Sequence, residues 1–186
     1  METIRCFIAI ELSREIKQAL GEIERELQKS ISGVKWVDPE NIHLTLKFLG
    51  NIQKGTVEDI KHILEQAVSG TPPFKIRLSE AGAFPGISRP RVLWVGIDEG
   101  KHESAEIAGR IDDGVSRLGV EKESRPFHPH LTLARVKFIK DKDSVRNAFS
   151  SLRIPPSLMT ADSLTLFQST LTREGPVYTP LYSAGM

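Results

Sequence analysis

Two four-residue segments carry the side chains best suited to chemistry: His43-Leu44-Thr45-Leu46 and His130-Leu131-Thr132-Leu133. Side chains two apart on a strand point to the same face. His43 and Thr45 therefore project together, His130 and Thr132 do the same, and the leucines face a core. Imidazole titrates near neutrality, so one ring of a facing pair can take a proton from an attacking oxygen while the other gives one to a departing oxygen. Threonine hydroxyls can donate hydrogen bonds to the non-bridging oxygens as charge builds on them. That set suits in-line displacement at phosphorus, and a strained 2′,3′-cyclic phosphate would need only water as nucleophile. The two segments are nearly alike, so spacing leaves open which histidine is the acid and which the base.

The segments stand nearly half the chain apart in 186 residues that contain five histidines. Two His-x-Thr matches that share both leucines, at corresponding places, exceed what chance supplies. The bland alternative is a duplicated strand in which only the leucines matter.

The elements around them repeat. The first half reads as a strand over 3–11, a helix over 14–29, a short strand over 34–37, a strand over 42–49 closed by Gly50-Asn51, a helix over 56–68 and a strand over 74–83. Phe84-Pro85-Gly86-Ile87-Ser88-Arg89-Pro90 forms a connecting loop. The second half reads as strand 92–97, helix 102–118, strand 130–136, helix 144–152, one long strand 158–168 and a last strand 177–183. The expected fold is α+β: two pseudo-symmetric lobes, each an antiparallel sheet with two helices, around a central cleft. A single bilobal domain over 1–186 is expected, with approximate halves 1–85 and 90–186.

Composition narrows the function classes. Hydrophobic residues make up 39% and charged residues 26%, with a formal net charge of +1. No strong global field for nucleic acid exists, so RNA binding would rest on a local patch or on a grip at one strand end. Cys6 is the single cysteine, which points to a reducing cytoplasm and leaves no paired-cysteine zinc site. No apolar run approaches a membrane span, and no signal-peptide pattern is read at the N-terminus. There is no P-loop and no Gly-x-Gly-x-x-Gly stretch, which argues against an ATP-dependent ligase. His128 and His130 share a face by alternation, but no nearby cysteine or carboxylate completes a zinc site, so no metal and no cofactor is expected. His128 reads as a structural hydrogen-bonding residue, and His62 and His102 as solvent-facing. Strict alternation places Lys47 inward beside His43 and Thr45, buries Phe48 with the leucines, and turns Arg135 away from His130 unless a bulge intervenes. Phe84, in a loop, is the better candidate for stacking on a base.

The paired segments resemble those of the two-histidine phosphoesterase superfamily, and within it the RNA 2′,3′-cyclic phosphodiesterase branch, also called 2′-5′ RNA ligase. The likeness extends over nearly the whole chain. Arg5-Cys6-Phe7-Ile8-Ala9-Ile10 is similar to the opening strand of that family. Asn41 through Gly50 is similar to its first motif region, Pro90-Arg91-Val92-Leu93-Trp94 to its central connection, and Phe127 through Arg135 to its second motif region. Leu164 through Ser169, with Tyr178, is similar to its C-terminal hairpin. The resemblance implies metal-independent hydrolysis of RNA 2′,3′-cyclic phosphate ends, tRNA halves being one such substrate, to 2′-phosphomonoesters. It implies His43 as general acid, His130 as general base and Arg135 as a phosphate ligand beside Thr45 and Thr132. The reverse reaction would be an ATP-independent 2′-5′ ligation. A phosphodiesterase of small cyclic nucleotides or 2′-5′ oligonucleotides, and a non-catalytic binder of RNA ends, are the competing readings. A monomer is expected.

Overall fold

The computed structural model describes residues 2–139, 142–173 and 175–186. Nine strands and four α-helices are formed by them. They run β1 (Thr3–Ile10), α1 (Arg14–Gln28), β2 (Val34–Trp36), β3 (Leu44–Gln53), α2 (Val57–Val68), β4 (Phe74–Phe84), β5 (Val92–Ile97), α3 (Lys101–Ser116), β6 (His130–Val136), α4 (Lys142–Ser151), β7 (Leu158–Ala161), β8 (Ser163–Leu171) and β9 (Pro176–Gly185). The fold is α+β, with two antiparallel sheets: β3-β1-β8-β9 and β2-β6-β5-β4-β7.

The sheets do not follow the sequence halves. The first half sends β2 and β4 to the sheet built on β5 and β6, and the second half sends β8 and β9 to the sheet built on β1 and β3: β4 pairs with β5, and β8 pairs with β1. With that exchange the sheets correspond strand for strand. β3-β1-β8-β9 maps onto β6-β5-β4-β7, and β2 is an added edge strand. The expected long strand over 158–168 is two strands broken at Asp162, because β7 pairs with β4 while β8 pairs with β1. The expected end of β3 at Gly50-Asn51 is also corrected. The strand runs on to Gln53, with Gly50 taking a left-handed φ of 67° without leaving the ladder.

The helices lie on one side of the sheets. α2 packs on β8 and β9, α3 on β3 and on α2, and α1 against β7. The apolar stripe of α1 (Ile16, Leu20, Ile23, Leu27) is buried, and Ser13 caps its N-terminus by accepting from the Ile16 N–H. Ile8, Ile10, Leu44 and Leu46 of one sheet and Leu93, Val95, Leu131 and Leu133 of the other enter one continuous core with these helices. The opposite face of the first sheet carries a separate small cluster of Phe7, Ala9 and Phe167, with Tyr178 against it. His43 stacks on that cluster.

Candidate active site

His43 immediately precedes β3, after a short 3₁₀ turn over Pro39–Asn41 that Asp38 caps by accepting from the Glu40 N–H. The turn aims the Asn41 carbonyl back at the ring, and His43 Nδ1–H donates to it at 2.9 Å. His130 opens β6 and does the same: its Nδ1–H donates to the His128 carbonyl at 2.7 Å. In both lobes a carbonyl two residues upstream fixes the tautomer, and Nε2 becomes the nitrogen free for chemistry. His128 thus acts through its backbone, and its ring packs on Trp94 and Phe84 at 5.0 and 5.4 Å. Thr45 and Thr132 are half-buried, and neither hydroxyl is engaged by another side chain among the described residues.

Each imidazole sits against aromatic rings. Phe7 stacks on His43 at 4.5 Å and Tyr178 meets it edge-on at 5.2 Å. Phe84 meets His130 edge-on at 4.9 Å, with Trp94 at 6.4 Å. The Trp94 ring lies over Gly82, where an added Cβ would fall 2.2 Å from it, so the glycine is what lets the indole lie flat. Phe84 is the last residue of β4, not a loop residue, and is packed beside His130. Burial lowers both imidazole pKa values. For His43 the value falls to about 4; the hydrogen bond to Asn41 opposes the drop and the Lys17 charge adds to it. For His130 burial again leads, opposed by the bond to His128 and helped by the charges of His128 and Arg135. Both shifts favour the neutral imidazole.

Strict alternation fails on both histidine strands, at the same place. On β3, Ala9 faces Thr45 but Ile8 faces Lys47, so Leu46 is an extra, bulged residue. On β6, Trp94 faces Thr132 but Leu93 faces Ala134, so Leu133 is the extra one. Its carbonyl accepts from the Val37 N–H at 2.8 Å. Each bulge reverses the phase of the residues beyond it, and three expectations change.

Lys47 is not beside His43 and Thr45. It is turned to the helix side, 3% exposed, and ion-paired to Asp112 of α3 at 2.7 Å and to Glu123 at 3.3 Å. Phe48 is not buried with the leucines but 59% exposed, on the face of Phe7. Arg135 comes round to the face of His130 and Thr132, opposite Val92 and Lys35. It is exposed, and its charge acts on both His130 and Tyr178. Tyr178 touches His43, so this arginine is electrostatically joined to the surroundings of both histidines. β3 and β6 also lie against one another across the two sheets. Sequence patterns alone do not assign the aromatic contacts of Phe7, Phe167 and Tyr178 to His43. The phase change in the apolar series Leu44, Leu46, Leu49, Ile52 is the available signal for the bulge on β3.

The geometry repeats one arrangement in each lobe, a tautomer-fixed histidine two residues before a threonine. Residues 10–94 and 95–178 each match the family described as LigT like phosphoesterase. The chain belongs to that family, and the double match follows the internal duplication. An RNA 2′,3′-cyclic phosphodiesterase of Aquifex aeolicus is 32% identical over 181 residues, covering 96% of this chain and 95% of that protein. The crystal structure of TT0787 of Thermus thermophilus superposes with a TM-score of 0.81 at 28% identity, covering 98% of this chain and 97% of that one. Escherichia coli LigT, in a crystal structure complexed with 3′-AMP, gives a TM-score of 0.76 at 27% identity, covering 100% of this chain and 99% of that one.

Proposed function

We propose that the chain hydrolyses RNA ends bearing a 2′,3′-cyclic phosphate to 2′-phosphomonoesters, without a metal ion, using His43 and His130. The observation that carries this reading is the duplicated His–Thr pair, with both Nδ1 atoms held by the carbonyl two residues upstream. It leaves two Nε2 atoms and two hydroxyls to face one phosphate, with Arg135 supplying charge. Family membership and the activity named for the Aquifex relative support it.

In the proposed reaction a water oxygen attacks phosphorus while neutral His130 takes its proton. The bond from phosphorus to the 3′ oxygen breaks, and His43 gives that oxygen a proton. His130 ends protonated and His43 neutral, and exchange with solvent restores the starting state. A ring with a pKa near 4 holds its proton poorly in the empty site. The anionic phosphate must therefore raise it, by placing a negative oxygen against Nε2–H. Thr45, Thr132 and Arg135 bind the non-bridging oxygens as their charge grows. A 5′-hydroxyl in place of the attacking water would give its proton to His130 and form a 2′-5′ linkage, with the 3′ oxygen again departing and taking its proton from His43. The substrate class is RNA 3′ ends, tRNA halves among them, and the site is assigned to a monomer acting in the cytoplasm.

The test is hydrolysis of a short RNA ending in a 2′,3′-cyclic phosphate with EDTA present, for wild type, His43→Ala and His130→Ala. Expected is turnover to the 2′-phosphate, falling roughly 10²–10⁴-fold in each variant, and no further in the double variant because the two act as a unit. Turnover that survives either substitution, or that requires a metal, overturns the reading.

A further inference from the structure

Three residues on one face of α1 meet the turn over Pro39–Asn41 that fixes His43. Lys17, Gly21 and Glu24 are spaced i, i+4, i+7 and so line up along the helix. They meet the turn in reverse order. Lys17 Nζ donates to the Glu40 carbonyl at 3.1 Å and pairs with the Glu40 carboxylate at 3.0 Å. Gly21 faces the Pro39 ring, which stands 3.5 Å from where a Cβ would lie. Glu24 feels the charge of Asp38, the residue that caps the turn through the Glu40 N–H. The turn ends in the Asn41 carbonyl that accepts from His43 Nδ1–H. Glu24 is the odd member of the three. It is 4% exposed, among the buried residues of α1 with Leu20, Ile23 and Leu27, and its Oε1 has no hydrogen-bond partner.

Resting on the function proposed above, we infer that Glu24 is a positioning residue for His43: neutral, it seats the turn that holds the ring in one tautomer, and ionised, it drives the turn and its Asn41 carbonyl away. The charged groups around it make ionisation costly. Asp38 faces it from the turn, with Glu40 and its partner Lys17 further along the same contact. Arg25 of its own helix reaches over Gly21. β7, also packed on α1, brings no titratable side chain. The segment 151–156 brings Arg153, against Glu22, Ile23 and Glu26. Among the described residues no cation is ion-paired to Glu24. Ionised, it would be a buried, unpaired charge beside a second carboxylate. Burial first and the Asp38 charge second keep it protonated up to about pH 8. No residue of the turn is buried, whereas α1 is anchored in the core by its apolar stripe. The turn is therefore the part that yields when both carboxyls are charged, because it has few contacts to lose. His43 then has no acceptor for Nδ1–H, its ring is free to rotate and to take the other tautomer, and Nε2 leaves the line of the departing 3′ oxygen. His130 is fixed by the His128 carbonyl instead, so the alkaline loss falls on one histidine alone.

The experiment compares wild type, Glu24→Gln and Glu24→Leu between pH 6.5 and pH 9. Gln keeps the shape and is neutral throughout; Leu completes the apolar stripe, so the test survives a poorly folding Gln variant. The ¹⁵N shifts of both imidazoles are read by NMR in the absence of substrate. Expected at pH 6.5 is the Nδ1–H tautomer for both rings in all three proteins. Expected at pH 9 is a wild-type His43 moved toward Nε2–H, with His130 unmoved and neither ring moved in the variants. Hydrolysis of a short RNA ending in a 2′,3′-cyclic phosphate gives the second readout. Glu24→Gln should match the wild-type kcat at pH 6.5 and exceed it roughly 10-fold at pH 9, about one unit above the midpoint of Glu24 ionisation. The alkaline limb set by His43 itself is common to all three and cancels in the ratio. A His43 tautomer unchanged to pH 9 in wild type, an equal movement of His130, or a Gln-to-wild-type ratio that stays level with pH overturns the inference. Absent hydrolysis by wild type would count against the proposed reaction instead, and the imidazole shifts would still decide the role of Glu24.

Discussion

The two lobes place a histidine and a threonine in the same way and differ in what surrounds them. At the rung of the threonines, small Ala9 faces Thr45 while Trp94 faces Thr132. One rung on, Phe7 and Phe48 in the first lobe correspond to Val92 and Arg135 in the second. The core-facing residue after each bulge also differs: Lys47 with its ion pairs in one, Ala134 in the other. Duplication preserved the local geometry of the histidine–threonine pair, namely the i−2 carbonyl and the bulge, and left the flanks free to diverge. A cyclic phosphate is symmetric enough for two like arms; a nucleotide is not. The flanks, not the histidine–threonine pairs, distinguish the two arms.

The largest effect in that comparison is expected at Arg135. If it binds phosphate, Arg135→Met lowers kcat/KM roughly 10–100-fold, since a hydrogen bond to a charged group is worth about 1.5–3 kcal/mol. Arg135→Lys should recover only part, because an ammonium cannot make the bidentate contact. The same change to Met should raise the His130 pKa, from which a positive charge has been withdrawn. His43, whose pKa is set by burial, the Asn41 bond and the Lys17 charge, should hold its value. An NMR titration of both rings in which His43 moves and His130 does not would break the lobe assignment.

Lys47 tests the other side of the same bulge. Lys47→Met removes the partner of Asp112 in a nearly buried pair, and one-sided removal costs about 3 kcal/mol, a Tm loss of roughly 6–12 °C for a chain of this size. Activity per folded molecule should stay at the wild-type level. A loss of kcat with stability intact would mean that Lys47 reaches the substrate after all.

The contrast between Lys47 and Phe48 also marks how far sequence reading goes here. Local patterns place nearly every element to within a few residues, because the helix stripes and strand alternation are strong, and the His–Thr repeat locates the candidate site. Two things escape. Alternation assumes an unbroken ladder, so bulges at Leu46 and Leu133 send Lys47, Phe48 and Arg135 to the faces opposite those expected. Strand exchange escapes as well, because nothing in the periodicity of β4 or β8 names its distant partner. Tertiary surroundings likewise explain the buried Glu24 on the otherwise amphipathic α1, whose carboxyl is raised to about 8, by burial first and by the Asp38 charge second.

The smallest predicted effect separates the two imidazoles by pH. His43 has a folded-state pKa near 4, against about 6.5 for an unfolded histidine. Between those values the unfolded chain binds the extra proton, so this ring's contribution to stability is complete above pH 6.5 and is lost as pH falls toward 4. From pH 7 to pH 5 the loss should be about 2 kcal/mol. Glu24 works with the opposite sign: its contribution is present below the unfolded carboxyl pKa and is lost as pH rises through about 8. A single stability curve would therefore mix the two. The difference between wild type and His43→Gln cancels Glu24, which both proteins carry. Denaturant unfolding at pH 5 and pH 7 should show the variant gaining on wild type at the lower pH. His130→Gln should gain in the same direction, because burial lowers that ring too, but by less than the variant of the more deeply shifted His43. Equal gains would mean that the two lobes hold their imidazoles in equivalent surroundings.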